Sequence, residues 1–510
     1  MRRSRAGGAT RGPPLMDALH ALYGKTKFSA NFYKHMALVL TFLSYALFHA
    51  TRKPPSVVKS VLKGDKVVMA NRALLQDGDV AISYGWAPFN GPNGSALLGQ
   101  VDLAFLLAYA LGMFVAGHIG DRTDLRLFLS GGMVLSGLLT TLVGMAYFWE
   151  IHNISYFIVV MILAGAFQST GWPSVVSIMA NWYGKGKRGL IMGIWNAHTS
   201  IGNIAGTVAA AACLQYGWGY SFVVPGLAIS VMGVAVYLLL VTAPADVGLT
   251  AGSYEAIKST DEPQPDDADV APKAAPAAEG EHVGFWDAWA IPGVASFALC
   301  LFFSKLIAYT FLYWLPYYIK ATPIQGRLLS AKQAGDLSTL FDVGGVAGGV
   351  LAGHLSDKTG ASALVATSFT VICVPVLYLY RAYGHVSLVT NITLMMACGF
   401  LVNGPYALIT TAVSADLGTH ESLNGNSKAL ATVTAIIDGM GSIGAAIGPL
   451  LTGYIAEAGG FDGVFLMLYL AAIAAGALLI RLCLKELQQL KSERRGHMRV
   501  PSGVQLAGKD

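Results

Sequence analysis

The sequence Gly117-His-Ile-Gly-Asp-Arg122 follows a long apolar segment, and a close copy, Gly353-His-Leu-Ser-Asp-Lys358, follows another apolar segment 236 residues later. That separation is close to half of the 510-residue chain. One such motif is weak evidence, but two copies at matching places indicate a duplicated unit. The glycines let two helices approach, and the charged pair that ends each copy can latch helix ends in one conformation. The candidate gating residues are therefore Asp121, Arg122, Asp357 and Lys358.

Twelve apolar segments of spanning length surround these motifs, six on each side of a polar gap. They lie near 34–52, 97–119, 127–148, 154–180, 189–213, 220–243, 292–319, 334–355, 361–380, 388–412, 428–455 and 462–484. Charged residues make up 12% of the chain, against about 25% in soluble domains. The sequence therefore predicts an all-α membrane protein with twelve transmembrane helices in two pseudo-symmetric six-helix halves.

The polar stretches between these segments define the expected domains. The gap after the sixth segment is rich in Pro, Ala, Asp and Glu, which predicts a disordered linker. Lysine and arginine are concentrated in both tails and in short loops on one side, so both termini are expected in the cytosol. The expected parts are an N-terminal tail (1–33), an N-terminal half (34–244) with an external loop (55–96), a cytosolic linker (245–290), a C-terminal half (291–485) and a C-terminal tail (486–510). In that loop, Asn93 is the glycosylation candidate.

The first apolar segment ends in Tyr45-Ala-Leu-Phe-His-Ala-Thr-Arg-Lys-Pro54. Tyr45, His49 and Arg52 are spaced i, i+4 and i+7, so they share one helix face. Two interpretations of Arg52 are open at this point. It is either the cationic flank of the helix, with its head group at the membrane surface, or a residue that faces a polar cavity.

Lys305 lies in the middle of the seventh segment, too deep to be a flank residue, and shares a helix face with Tyr309. A pseudo-two-fold axis along the membrane normal would bring the first and seventh helices face to face. Arg52 and Lys305 would then be two uncompensated cations across a central cavity. Such a site suits a compact dianion such as a phosphate monoester, since arginine binds phosphoryl oxygens as a fork and lysine as a point charge. Two uncompensated cations also hinder reorientation of the empty carrier, which favours obligatory exchange.

The other ionisable residues inside the apolar segments have several interpretations. Asp342 is expected to pair with Lys53 as a structural bridge. Asp438 is a gate, a proton site or the buried partner of a cation, and the sequence does not rank these roles. His198 follows a tryptophan in a Gly-rich segment, where a lone histidine is more often a packing residue than a proton relay.

Several long runs also carry a family resemblance. They are Gly171-Trp-Pro-Ser-Val175, Trp182-Tyr-Gly-Lys-Gly-Lys-Arg-Gly-Leu-Ile-Met-Gly-Ile-Trp-Asn196, Tyr309-Thr-Phe-Leu-Tyr-Trp-Leu-Pro316, Asp336-Leu-Ser-Thr-Leu-Phe-Asp-Val-Gly-Gly345 and Asn403-Gly-Pro-Tyr-Ala-Leu-Ile-Thr-Thr-Ala-Val-Ser-Ala-Asp-Leu-Gly418. From about Lys34 to Lys485, without the linker, the chain resembles the major facilitator superfamily. Within it, the chain looks like the sugar-phosphate exchanger family (solute carrier family 37).

This resemblance implies a twelve-helix organophosphate:phosphate antiporter in the endoplasmic reticulum membrane. The more distant bacterial antiporters end their first helix in a similar Tyr…Arg-Lys pattern, so Arg52 would bind the phosphoryl group. Tyr109 resembles a tyrosine on their second helix. Lys305 stands one turn before the position of their seventh-helix arginine. His198 stands one position before that of their histidine, a rotation of about 100° on a helix.

The substrate-binding candidates are thus Arg52, Lys305, Tyr45, His49, Tyr109, Tyr309 and His198, and the ion-pair candidates are Lys53, Asp342 and Asp438. The expected ligands are an organophosphate and inorganic phosphate in a lipid bilayer, with no cofactor, metal, nucleic acid or obligate protein partner. Three-carbon and six-carbon phosphates are not distinguished. Other endomembranes, the plastid and the plasma membrane are alternative locations.

Three alternative functions compete with exchange. A proton-coupled transporter of another anion or sugar would use Asp342 or Asp438 as its carboxylate. A transport-inactive scaffold would have little reason to keep Arg52 and Lys305 inside the membrane. A membrane-embedded hydrolase or transferase is disfavoured because the sequence has no H-E-x-x-H, P-loop or G-x-S-x-G motif where chemistry would need it. No catalytic residue is therefore expected.

Overall fold

This computed structural model describes residues 12–23, 28–64, 85–120, 122–183, 195, 197–247, 249, 289–413, 417 and 427–497. The described residues are mainly helical, and each of the twelve predicted segments contains a helix. Eight helical stretches among them are long and apolar enough to cross a membrane. The predicted linker lies mostly outside the described residues, and Asp121 lies outside them as well.

Nine described α-helices precede the polar gap, the first of them in the N-terminal tail. They are α1 (Pro14–Tyr23), α2 (Ala30–Thr51), α3 (Pro54–Lys63), α4 (Gly94–Gly120), α5 (Leu125–Phe148), α6 (Ile154–Gln168), α7 (Gly171–Trp182), α8 (His198–Cys213) and α9 (Tyr220–Leu239). Helices α6 and α7 together make the fourth spanning segment. Helix α1 lies within the predicted N-terminal tail, where it buries Met16 and brings His20 Nε2 to 2.5 Å from the Tyr33 hydroxyl.

The C-terminal half contains five described helices. They are α10 (Val294–Ala321), α11 (Ala331–Thr359), α12 (Ser362–Tyr383), α13 (Leu388–Leu408) and α14 (Ser427–His497). A π-helical turn, Ile409–Val413, follows α13. Gly460 interrupts α14 with a positive φ of 69°, a conformation open to glycine, and so separates the eleventh and twelfth segments.

The two halves pack their helices in the same order. In the N-terminal half α2 packs on α8, α4 on α6 and α5 on α9, which pairs the first segment with the fifth, the second with the fourth and the third with the sixth. In the C-terminal half α10 and α12 pack on α14, which carries both the eleventh and the twelfth segment, and α11 packs on α13. These contacts correspond to the three helix pairs of the N-terminal half. The duplication that the repeated motif indicates is therefore present in the packing of the two halves.

Helix α3 occupies the start of the stretch that the sequence assigned to an external loop. Proline is tolerated in the first turn of a helix because its missing N–H would be unpaired there, and Pro54 and Pro55 begin this helix. Val57, Val58 and Leu62 are buried. The first transmembrane segment thus continues past Arg52 as a second, buried helix.

The halves touch closely at the end of the bundle where α3 lies, here called the α3 end. A Cβ on Gly453 of α14 would lie 2.4 Å from the Ser95 carbonyl oxygen of α4, so the two backbones are in contact. Lys63 Nζ lies 2.6 Å from Glu457 Oε2 across the same boundary, and Glu457 also accepts from the Ser95 N–H at 2.9 Å. Small residues allow such close approach of membrane helices. The two halves are therefore closed against each other at the α3 end.

Glycine packing gives a direct test of the C-terminal half. A Cβ on Gly348 of α11 would lie 1.9 Å from the Phe400 carbonyl oxygen of α13, whereas one on Gly353 of the same helix would meet no atom within 4 Å. Gly348→Ala should force α11 and α13 apart and lower the thermal unfolding temperature of the purified protein by several degrees. Gly353→Ala should leave it unchanged or raise it slightly, since alanine is favoured over glycine in a helix by about 1 kcal/mol. Equal unfolding temperatures for the two variants would contradict this packing.

Candidate functional site

Arg52 lies at the junction of α2 and α3, and its side chain is buried. Its Nε donates to Gln168 Oε1 at 2.7 Å, and Gln168 Nε2 donates to Thr51 Oγ1 at 2.8 Å. The guanidinium carbon lies 4.4 Å from the centroid of the Tyr109 ring, which is cation–π range. Its Nη2 is buried and has no hydrogen-bond partner among the described residues. Neutral groups thus hold the guanidinium in place and leave a donor available for an anion.

Lys53 points across the boundary between the halves. Its Nζ lies 3.9 Å from Asp342 Oδ2 and donates to the Leu312 carbonyl at 3.3 Å. Asn203 Nδ2 lies 3.5 Å from Asp342 Oδ1, and Asn203 Oδ1 lies 3.3 Å from His49 Nδ1. The structure therefore places the expected Lys53–Asp342 pair in the interface, where it joins the first transmembrane segment to α11.

Lys305 is not an uncompensated cation, so that expectation from the sequence is wrong. Its Nζ donates to Asp438 Oδ1 at 2.6 Å. The Lys305 side chain is 6% exposed and that of Asp438 is 29% exposed, so the carboxylate is the more accessible member of the pair. Gly441 makes room for the lysine stem, since a Cβ there would lie 2.9 Å from Lys305 Cδ. The pairing was not evident in the sequence because 133 positions separate the two residues.

Two tyrosines connect the cations of the two halves. Tyr109 of α4 and Tyr309 of α10 each lie within electrostatic range of both Arg52 and Lys305. Tyr406 of α13 contributes a ring whose centroid lies 5.5 Å from Lys305 Nζ. Arg52 and Lys305 thus face one polar region between the halves that is walled by aromatic rings.

His198 and Tyr45 belong to an aromatic cluster next to this region. The His198 ring centroid lies 4.8 Å from that of Tyr45 and 4.4 Å from that of Trp195. His198 is fully buried, and its Nδ1 lies 3.2 Å from Thr199 Oγ1. The Tyr45 hydroxyl lies 3.4 Å from the Tyr109 hydroxyl. Tyr45 therefore contacts both this cluster and Tyr109, whose ring lies against Arg52.

The remaining candidates lie at helix ends. Arg122 is exposed just after α4, and Asp357 and Lys358 are exposed in the last turn of α11. Asn93 is exposed directly before α4, close to the start of a spanning helix. The structure does not bring these four residues to the region around Arg52.

Several residues of this region were missed in the sequence. Gln168 supports Arg52 and was visible as a polar residue inside an apolar segment. Lys59 and Asp102 form an ion pair of 2.8 Å with both side chains 1% exposed. Asp102 also lay inside a predicted segment, but Lys59 was assigned to the loop. Correct placement of α3 would have revealed that pair.

The charges of this region favour an anion. Arg52, Lys53 and Lys305 carry three positive charges, and Asp342 and Asp438 carry two negative charges. One positive charge is left in a buried region that contains an unused guanidinium donor. A buried charge without a partner is costly, and a bound anion would offset that cost.

Comparisons with known proteins agree with this architecture. A family model of the Major Facilitator Superfamily matches residues 74–423 and 323–506. The chain is 54% identical over 484 residues to "Putative glycerol-3-phosphate transporter 1" of Arabidopsis thaliana, covering 92% of this chain and 91% of the relative. It is 48% identical over 477 residues to "Glucose-6-phosphate exchanger SLC37A2" of Mus musculus, covering 91% of this chain and 94% of the relative.

A solved structure shares the fold. A bacterial homologue of the human lysosomal transporter Spinster, in an inward-facing and unoccupied conformation, superimposes with a TM-score of 0.56 at 16% identity, covering 91% of this chain and 98% of that chain. The family of this chain consists of transporters rather than enzymes. The helical architecture, the duplicated halves and these similarities together show that the chain is an integral membrane protein of the Major Facilitator Superfamily, in its sugar-phosphate exchanger (solute carrier 37) branch.

Proposed function

We propose that this protein exchanges a phosphorylated metabolite for inorganic phosphate across a membrane by alternating access to one central site. The observation that carries the proposal is the buried Arg52 guanidinium, which neutral partners hold and whose Nη2 is free to bind an anion. Arginine binds phosphoryl groups through parallel charge-assisted hydrogen bonds. Arg52 is therefore the phosphoryl-binding residue of the proposed site.

The substrate class follows from the charge of the site and from the relatives. The relatives named above are a glycerol-3-phosphate transporter and a glucose-6-phosphate exchanger. Both substrates share a phosphoryl group and a hydroxyl-bearing carbon chain. Tyr109, Tyr309 and Tyr406 offer hydroxyls and ring faces for that carbon chain. The proposed substrates are thus three-carbon or six-carbon monophosphates, with inorganic phosphate as the exchanged anion.

Asp438 gives the empty site a counter-ion of its own. In this structure it holds Lys305 at 2.6 Å. A phosphoryl dianion that bridges Arg52 and Lys305 must compete with this carboxylate. Two unit charges about 4 Å apart interact by about 4 kcal/mol at the effective dielectric constant typical near a protein surface, so this competition is significant. Asp438 therefore limits how tightly the phosphoryl group is held and so favours its release on the other side.

Alternating access follows from the way in which the halves meet. The α3 end is closed by the Lys63–Glu457 pair and by the contact between Gly453 and Ser95. Rocking one half against the other would break these contacts and expose Arg52 to the α3 side. The basic residues of the tails favour a cytosolic position for both termini, so the α3 end faces the lumen or the outside. The endoplasmic reticulum membrane is the proposed location.

Exchange can be measured with purified protein in liposomes. Uptake of radiolabelled inorganic phosphate should require vesicles preloaded with phosphate, glycerol-3-phosphate or glucose-6-phosphate. Arg52→Ala should raise the half-saturating phosphate concentration at least about tenfold, because it removes hydrogen bonds to a charged group. Arg52→Lys should retain part of the activity, since it keeps the charge and loses the fork.

Arg381→Ala is the matched control for this experiment. Arg381 donates to Asp462 at 2.8 Å on the surface of the C-terminal half, and its loss should leave exchange unchanged. Uptake into empty vesicles that follows a pH gradient would contradict exchange and favour a proton-coupled transporter. Absence of uptake by folded protein would favour the scaffold interpretation.

The role of Asp438 gives a second prediction. Asp438→Asn removes the competitor for Lys305, so the half-saturating phosphate concentration should fall several-fold while the maximal exchange rate also falls, because release becomes slower. The matched control is Asp462→Asn, which removes the acidic member of a surface pair and should change neither value. Weaker phosphate binding in Asp438→Asn would mean that the carboxylate supports the site instead of competing within it.

A further inference from the structure

Four residues in the walls of two small cavities beside α3 each have a buried polar atom that lacks a hydrogen-bond partner among the described residues. These atoms are Arg52 Nη2, the Tyr313 hydroxyl, the Trp218 indole nitrogen and Asp102 Oδ2. Asp102 Oδ2 lies 2.8 Å from Lys59 Nζ as an ion pair, but it accepts no hydrogen bond of good geometry. Buried polar atoms in proteins are nearly always bonded to protein or to ordered water. Four such atoms in one part of the molecule therefore need an explanation.

Two small cavities lie next to these atoms. The first has a volume of about 20 Å³, and Lys59, Asp102 and Trp218 lie in its wall. The second has a volume of about 10 Å³, and Arg52, Tyr313 and Thr140 lie in its wall. About 10–15 Å³ is enough for one water molecule that has polar partners. The two cavities adjoin, because both are lined by Pro55, Val143, Met161 and Phe222.

We propose that ordered water occupies both cavities, bonded to Asp102 of the buried Lys59–Asp102 pair in one and to the phosphoryl-binding arginine in the other. In the first cavity, water accepts from the Trp218 indole N–H and donates to Asp102 Oδ2. In the second cavity, water accepts from one N–H of Arg52 Nη2 and bonds to the Tyr313 hydroxyl, which leaves the other N–H of Nη2 for the anion. This assignment pairs all four atoms, and no rearrangement of the helices is needed.

The location of Tyr313 gives this water a role in the transport cycle. Tyr313 belongs to α10 of the C-terminal half, whereas the other three residues belong to the N-terminal half. Lys59 Nζ lies 5.3 Å from the Tyr313 ring centroid and 5.1 Å from that of Trp314, so α10 covers the ion pair. Opening the α3 end withdraws Tyr313 and exposes the water to solvent. Tyr313 is thus a positioning residue that acts on Arg52 through water only while the α3 end is closed.

The water sites can be observed directly. An experimental structure of the full chain, at a resolution that shows ordered water, should contain density in both cavities within hydrogen-bond distance of Asp102, Trp218, Arg52 and Tyr313. Empty cavities, or cavities filled by side chains, would overturn the proposal. This structure determination does not depend on transport activity, so it tests the water sites even if the exchange function proposed above fails.

The positioning role rests on the proposed exchange function and is tested by Tyr313→Phe. Loss of the hydroxyl should raise the half-saturating concentration for inorganic phosphate about threefold to tenfold, with the unfolding temperature unchanged. The effect should be absent when Arg52 is already alanine, because coupled residues are not additive. Tyr380→Phe is the matched control, since Tyr380 is equally buried in the C-terminal half and lines neither cavity.

Two results would overturn the positioning role. One is an unchanged half-saturating concentration in Tyr313→Phe. The other is an effect of the same size with and without Arg52→Ala, which would indicate a packing role for the ring. Wild-type protein that does not bind phosphate at all would instead refute the proposed function, and the density in the cavities would then decide the water sites alone.

Discussion

The burial of one guanidinium between neutral partners is the constraint on which the central site depends. Moving a charge out of water is expensive, and a buried charge normally has an acidic partner or a ligand. Arg52 is held by Gln168 and by the face of Tyr109, neither of which carries a negative charge at neutral pH. The other two central cations are paired internally, Lys53 with Asp342 and Lys305 with Asp438. The uncompensated charge is therefore localised on the residue that is shaped to bind a phosphoryl group.

The duplicated halves place this charge near their boundary, where the proposed site lies. Each half pairs its helices in the same order, and α3, which begins two residues after Arg52, packs on α10 of the other half. Contact at the α3 end combines Gly453, which lets backbones touch, with the Lys63–Glu457 ion pair. Tyr313 and Trp314 of the C-terminal half also pack there, in one hydrophobic cluster with Val58 and Leu62 of α3. Two duplicated halves that meet along such a boundary suit the rocking motion of the proposed transport cycle.

Much of the fold could be predicted from the sequence, because apolar length and a repeated motif are local signals. Arg52 and Lys305 could also be identified, since a charge inside an apolar segment is conspicuous whatever its partner. Partners were harder to predict. Asp438 was recognised as an unusual residue, but only the packing of α10 against α14 shows that it neutralises Lys305.

The same limit applies to the residues that support Arg52. Gln168 is a neutral residue in an apolar run, and its contact with Arg52 depends on the rotation of α6 about its axis. Helix α3 was missed because two prolines normally end a helix, and here they begin one. With α3 placed in a loop, the buried Lys59–Asp102 pair could not be anticipated.

The most direct test is an experimental structure of the full chain determined with inorganic phosphate bound. Density for the anion is expected within hydrogen-bond distance of Arg52 Nη2 and Lys305 Nζ. Lys305 and Asp438 should have moved apart from the 2.6 Å seen here. Phosphate bound away from Arg52, or bound with the Lys305–Asp438 pair intact, would contradict it.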